Sequence, residues 1–284
     1  MDDMELRSLS AGEVLDHSFT LFRRLFVPLV LIQVVCSGVP LLLSVFMETR
    51  GEPAPVLFIV TYALAFVLGS LASAATAYLI SERYLGQSLS AGDALRRAAP
   101  RIGAVMVLSL GLGLVVMLAA LPSLLAIGAG AAFAGVALQG GGTAPAGGGV
   151  ALVLVGIALL VLPLLVFSGL SVATTTLVLE HTGAGRAMSR SWYLTKGYRL
   201  RIVGLLFVVL IVVLIPMLAI GGLAGAFSAA EPTPAQNAVV AALSGVISVL
   251  VTPLLYCVIT LLYYDLRVRK EAFDLEVLAT TLAT

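Results

Sequence analysis

Residues 102–179 read IGAVMVLSLGLGLVVMLAALPSLLAIGAGAAFAGVALQGGGTAPAGGGVALVLVGIALLVLPLLVFSGLSVATTTLVL, 78 residues without one Asp, Glu, Lys, Arg or His. A bilayer core about 30 Å thick is crossed by about 20 apolar residues in a helix. The stretch is therefore too long for a single crossing. The Gly-rich run Gln139-Gly140-Gly141-Gly142-Thr143-Ala144-Pro145-Ala146-Gly147-Gly148-Gly149 divides it into two spans joined by a flexible hairpin. Outward from it, the charge-free windows 25–47, 53–81, 202–230 and 232–264 hold one span each. The expected fold is all-α and transmembrane, with spans near 25–47, 57–81, 102–127, 150–178, 202–224 and 238–263.

Composition agrees, with 60% hydrophobic and 11% charged residues, where soluble domains carry about 25% charged. The placement of charge gives the orientation. Of the 16 Lys and Arg residues, only Arg50 falls on the side of the odd-to-even span loops. That asymmetry predicts both termini in the cytoplasm, with 265–284 as a cytoplasmic tail. The acidic start Met-Asp-Asp-Met-Glu lacks the basic region of a cleaved signal, so the first span is expected to persist. Cys36 and Cys257 both fall inside spans and read as packing residues.

A unit repeats. Ala11-Gly12-Glu13-Val14-Leu15 returns as Ala91-Gly92-Asp93-Ala94-Leu95 and, more loosely, as Ala184-Gly185-Arg186-Ala187-Met188. Ser10 with Glu13 and Ser90 with Asp93 form capping boxes, and Thr182 is the expected cap of the third copy. Each copy begins an amphipathic stretch, near 11–24, 91–99 and 184–196, expected to lie along the inner membrane surface as an elbow. Pro40, Pro122 and Pro216 follow at similar distances, towards the outer end of each odd-numbered span. The unit is elbow, span out, outer loop, span back, and three units make a six-helix bundle.

Chemistry is sparse. His17 and His181 are the only histidines and neither has a metal-ligand spacing. The Gly-rich run lacks the Gly-Lys-Ser/Thr ending of a phosphate loop. Ser70, Ser168, Ser171 and Ser244 have no His or Lys at their depth to activate them, and bonding back to their own helices is expected. No catalytic, cofactor or metal site is expected. Ion-coupled transporters carry charged groups at mid-membrane, and this chain has none there. Gln33, Tyr62, Thr174, Thr175, Thr176, Thr252, Tyr256 and Thr260 are the polar residues available to line a path. Ala65, Gly69, Ser73 and Ala77 form a small-residue ladder that admits a close helix neighbour. Pro163 and Pro253 are expected to bend spans four and six, as packing kinks or as the walls of a cavity.

Each even-numbered span ends on the inner side with an acid: Glu82, Glu180 or Asp265. A carboxylate at a helix C-terminus opposes the macrodipole by about 0.3–1 kcal/mol, so compensation by arginines is expected. Arg96, Arg97, Arg101, Arg186, Arg190 and Arg267 are nearest in sequence. Trp192, on the third elbow, is a further structural-interface candidate.

Three segments also carry a resemblance: Leu9-Ser10-Ala11-Gly12-Glu13-Val14-Leu15-Asp16; Leu179-Glu180 with Ala187-Met188-Ser189-Arg190-Ser191-Trp192; and Leu262-Tyr263-Tyr264-Asp265-Leu266-Arg267-Val268-Arg269 with Phe273-Asp274-Leu275-Glu276. With these the chain resembles the bacterial glycerophosphoryl diester phosphodiesterase membrane domain. The resemblance implies the membrane module alone, since no barrel-sized soluble segment is present, and it brings no site residue onto this chain. The leading functional expectation is a non-enzymatic scaffold or accessory module in a bacterial plasma membrane. The alternatives are a passive carrier or lipid-handling protein with a groove between proline-kinked spans and, third, a lipid head-group enzyme. Expected partners are the lipid bilayer and other membrane proteins, not nucleic acid.

Overall fold

The computed structural model describes residues 9–50, 54–138, 146–227 and 233–272. Eleven α-helices follow in order among them: α1 (Ala11–Arg24), α2 (Phe26–Arg50), α3 (Pro55–Tyr84), α4 (Ala91–Ala98), α5 (Ile102–Leu138), α6 (Ala146–Leu159), α7 (Val161–Leu170), α8 (Ala173–Leu179), α9 (Ala184–Thr195), α10 (Arg199–Phe227) and α11 (Pro234–Glu271). A 3-10 turn, Ala99–Arg101, joins α4 to α5. No strand occurs among the described residues. Six helices are long and apolar enough to cross a membrane, and at most 28% of each hydrophobic window is buried inside the protein. The remaining apolar surface faces outward, as a lipid solvent requires and water would not tolerate. The class is therefore an all-α, multi-pass membrane protein.

The helices start where local chemistry directs. Ser10 and Glu13 form a reciprocal capping box on α1, and the Ser90 hydroxyl accepts from the Asp93 N–H on α4. The third short helix differs from expectation. Its N-cap is Gly183 without a side-chain bond, and the Thr182 hydroxyl is buried without a partner among the described residues. A capping box not anticipated from the sequence, Thr233 with Gln236, opens α11.

Several boundaries also differ. The third span continues past 127 to Leu138, about 55 Å at 1.5 Å per residue. The second half of the Gly-rich run is helical, because α6 begins at Ala146; residues 139–145 lie outside the described residues. Glycine serves close approach there. A Cβ on Gly149 would stand 2.7 Å from the Ala134 nitrogen and the Gly130 oxygen of α5, so the two backbones pack directly.

The fourth span, expected as one helix, is three. Pro163 has no N–H to give the Leu159 carbonyl, and the chain tightens so that the Leu160 N–H bonds Ile157 O at 3.1 Å. The second break follows the carbonyl of Gly169, which accepts the hydroxyls of Ser191 (2.9 Å) and Thr195 (3.0 Å) from α9. Pro253, by contrast, sits inside an unbroken α11.

The core gathers at the end of the bundle that carries α1, α4 and α9, here termed the platform end. Val14, Leu21, Ile80, Ala94, Leu177, Leu194, Leu261 and Leu262 are all buried there. Around it α2 touches α3, α3 touches α5, α5 touches α7, α7 touches α10, α10 touches α11 and α11 touches α2, so the bundle closes on itself. α3, α8 and α11 also touch one another. Each short helix covers the span that precedes it in this circuit: α4 on α3, α9 on α8, and α1 on α11.

Candidate functional site

Two features stand out, a network of carboxylates at the platform end and a polar groove at membrane depth. The network is built from the three acids singled out above. Glu82 in the last turn of α3 takes Arg97 of α4 at 2.7 Å, with Arg97 itself more than half exposed. Glu180, the C-cap of α8, accepts from Arg190 Nε at 3.1 Å on both oxygens and from the Tyr263 hydroxyl at 2.9 Å. Arg190 also donates to Glu271 at 2.7 Å. Burial works against its charge, but the bonds to Glu271 and Glu180 outweigh it and hold its pKa above the ordinary value.

Asp265 departs from expectation. It lies inside α11, which runs on to Glu271, so it does not face a helix terminus and the macrodipole argument does not apply to it. Its side chain is completely buried and takes Arg201 at 2.8 Å and Arg269 at 3.1 Å. It also accepts the Leu9 N–H at 2.7 Å, while both arginines donate to the Leu9 carbonyl. Arg267 pairs instead with Glu271 at 3.2 Å, and among the described residues Arg101 joins none of the three acids. The pairing of Asp265 with Arg269 had a readable signal, the i,i+4 spacing, once the helix is continued past residue 263. The roles of Arg201 and of the Leu9 backbone had none.

Hydroxyls tie the same three helix ends to one another. Tyr78 of α3 donates to Val178 O of α8 at 3.1 Å, Ser81 of α3 meets Tyr264 of α11 at 2.5 Å, and Tyr263 of α11 reaches Glu180. A cavity of about 440 Å³ opens among them, lined by Tyr78, Glu82, Arg97, His181, Tyr264 and Arg267. His181 holds a left-handed backbone (φ 56°), and its Nδ1 lies 2.8 Å from Val178 O. Among the described residues no hydrogen bond joins either histidine to a carboxylate, and no three His, Cys, Asp or Glu side chains converge as metal ligands. Trp192 lies against Gly169, where a Cβ would come within 2.6 Å of the ring. The Arg199 guanidinium stands 3.8 Å from the ring centroid, a cation–π contact.

The groove runs between α2, α3 and α11, with a volume of about 360 Å³. It brings together four of the eight polar residues expected to be available for a path, Gln33, Tyr62, Thr252 and Tyr256, and adds Ser37, Ser44, Thr61 and Ser248. Thr175, Thr176 and Thr260 are instead buried in the core, and Thr176 bonds back to Val172 O. Among the described residues no charged side chain lines the groove. The half of the small-residue ladder farther from the platform end, Ala65 and Gly69, forms its wall; a Cβ on Gly69 would meet nothing within 4 Å. Gln33 is 4% exposed, yet its amide nitrogen has no hydrogen-bond partner among the described residues. Leaving such a donor unmade costs roughly 1–3 kcal/mol.

For a multi-pass helical protein of this form, comparison by sequence gives a family. A family model described as a domain of unknown function (DUF7847) matches residues 56–266, most of the chain, and the protein belongs to that family. No curated protein and no solved structure matches.

Proposed function

We propose that this chain is a non-enzymatic, lipid-handling membrane protein that takes lipid into the groove between α2, α3 and α11. The observation that carries the reading is the lining of that groove. Polar, uncharged side chains stand among apolar ones in its lining at membrane depth, and it opens where Tyr62, Gly69 and Ser248 are exposed on the flank of the bundle. Ser44 donates to Leu41 O and Thr61 to the Met47 sulfur. The buried amide nitrogen of Gln33, however, has no partner among the described residues, and such a group is costly in hydrocarbon unless something satisfies it. The platform end faces the cytoplasm of a bacterium in this reading, with both termini inside, because nearly all the basic residues gather there. The three elbow-plus-two-span units form a closed circuit in which the acid of each unit holds the start of the next: Glu82 to α4, Glu180 to α9, and Asp265 to the backbone that leads into α1.

The test is native mass spectrometry of protein released from its own membranes, with bound lipid identified. The parent should retain a lipid in stoichiometric amount, and Gly69→Leu, which fills the groove from a position with room for a side chain, should retain much less. Equal retention by both would overturn the reading. A scaffold or accessory role is the second reading. It is favoured by the ion-paired platform and by the apolar flanks of α5, α6 and α10, which are open to the spans of other membrane proteins.

A further inference from the structure

We infer that the ligand of the groove is an uncharged acylglycerol-type lipid, held by a hydrogen bond from the side-chain amide of Gln33 to an ester-carbonyl or hydroxyl oxygen. The inference rests on the lipid-handling reading and adds to it the chemical class of the lipid and the residue that recognises it.

The argument starts from the unmatched donor. Gln33 is nearly inaccessible, lines the groove, and has a buried amide nitrogen without a partner among the described residues. An acceptor oxygen from outside the protein would complete it. The class of that oxygen follows from what the groove lacks. A phosphate brought to membrane depth needs cations or a cluster of donors to replace its hydration. Among the described residues no Lys, Arg or His lines this groove, so a phosphorylated or otherwise ionised head is excluded from it on energetic grounds. A neutral ester or alcohol asks only for the hydrogen bonds that Gln33, Ser37 and Thr252 can supply.

Shape agrees with chemistry. From Gln33 to Ser44 along α2 the groove extends about 16 Å at 1.5 Å per residue, and Pro40, Leu41 and Val249 give it apolar walls. Its volume lies at the low end of the roughly 300–1,000 Å³ of small-molecule sites. It therefore takes one acyl chain with its ester, while the remainder of the lipid, attached at the ester and still at membrane depth, lies on the exposed flank of the groove.

The test uses a diazirine-bearing diacylglycerol in phosphatidylcholine vesicles containing the full chain. The parent should be labelled on peptides of α2 and α11, and unlabelled diacylglycerol should compete while phosphatidic acid does not. Gln33→Leu should lower labelling about tenfold or more, as expected for a lost hydrogen bond to a buried donor. In lipid-free detergent the same variant should melt no lower than the parent, because it removes a donor that has no protein partner. Gly69→Leu should abolish labelling. Competition by phosphatidic acid equal to that by diacylglycerol would overturn the uncharged class and leave the lipid-handling reading standing. Undiminished labelling of Gln33→Leu, or a marked fall in its melting temperature, would remove Gln33 as the recognising residue. Absence of specific labelling in the parent would overturn the acylglycerol class, and labelling unchanged in Gly69→Leu would overturn the groove as the site and with it the lipid-handling reading.

Discussion

Glu82, Glu180 and Asp265 carry the same formal charge in three different settings, and their settings rank their contributions. Arg97 beside Glu82 is 54% exposed in its side chain, the Glu180 and Arg190 side chains are 20% and 30% exposed, and the Asp265 side chain is 0% exposed. An exposed pair contributes about 0–1 kcal/mol, hydrogen bonds to a charged group about 1.5–3 kcal/mol, and breaking a buried pair costs about 3–5 kcal/mol by stranding the other charge. Melting temperatures in detergent should therefore fall least for Glu82→Gln, more for Glu180→Gln and most for Asp265→Asn. On the Glu180→Gln background, Arg190→Gln should cost less than it does alone. Equal losses across the three acids would show that burial does not set their contributions. The arginine bonds to Glu82 and Glu180 join residues that the sequence already places side by side, across a short connection between one span and the next short helix. Asp265 was misplaced because a charge-free window ends at residue 264, whereas the helix does not. Beyond the apolar stretch a helix needs only acceptable side chains and packing, and Arg267, Arg269 and Lys270 extend α11 with their own ion pairs and aromatic contacts.

At the scale of elements, apolar windows located the long helices well because hydrocarbon thickness is a strict ruler. They said nothing about continuity. The fourth span breaks at Leu160 for a local reason, Pro163, and again after Leu170 for a distant one, the Ser191 and Thr195 hydroxyls that take the Gly169 carbonyl. A tertiary bond of that kind leaves no trace in spacing. The groove was half-legible in the same way: its polar residues were visible, but their grouping depends on which faces of α2, α3 and α11 meet. Orientation is the element-level statement most open to direct measurement. Cysteine in place of Thr143, between α5 and α6, should react in intact cells with a membrane-impermeant thiol reagent. Cysteine in place of the exposed Gln87 or Lys196 should react only after the membrane is opened. Gly86 and Gly197 are unsuitable sites, since their φ angles of +82° and +93° disfavour a side chain. The native Cys36 and Cys257 are buried and should contribute little background. The opposite labelling pattern would reverse the orientation and move the platform to the outer face.

For the whole molecule the proposed circuit of three units makes a demand that no single contact makes. If each unit is complete and each acid holds the start of the next, the point where the circuit is cut should matter little, provided the cut falls between units. α1 packs on α11, and Asp265 bonds the Leu9 backbone, so the start of the described chain and the last turns of α11 lie together at the platform end. In a permuted chain, residues 273–284 followed by 1–8 would form the connection between them. New termini placed between Gln87 and Ser88 would leave α3 and α4 intact and would keep both ends on the platform side, preserving the distribution of basic residues that directs insertion. Because local contacts are retained and only one connection is exchanged for another, the cost should be limited to a small change in loop-closure entropy, which grows slowly with loop length. The permuted chain is expected to insert, to run as a single species in detergent, and to melt within several degrees of the parent. Its Glu82→Gln variant should now lose more than it does in the natural order, because the Glu82–Arg97 pair would have become the bond that closes the circuit between the two ends of the chain. Failure of the permutant to fold, with protein of the natural order folding normally beside it, would show that the likeness between the units is sequence deep and that the bundle depends on its order of synthesis.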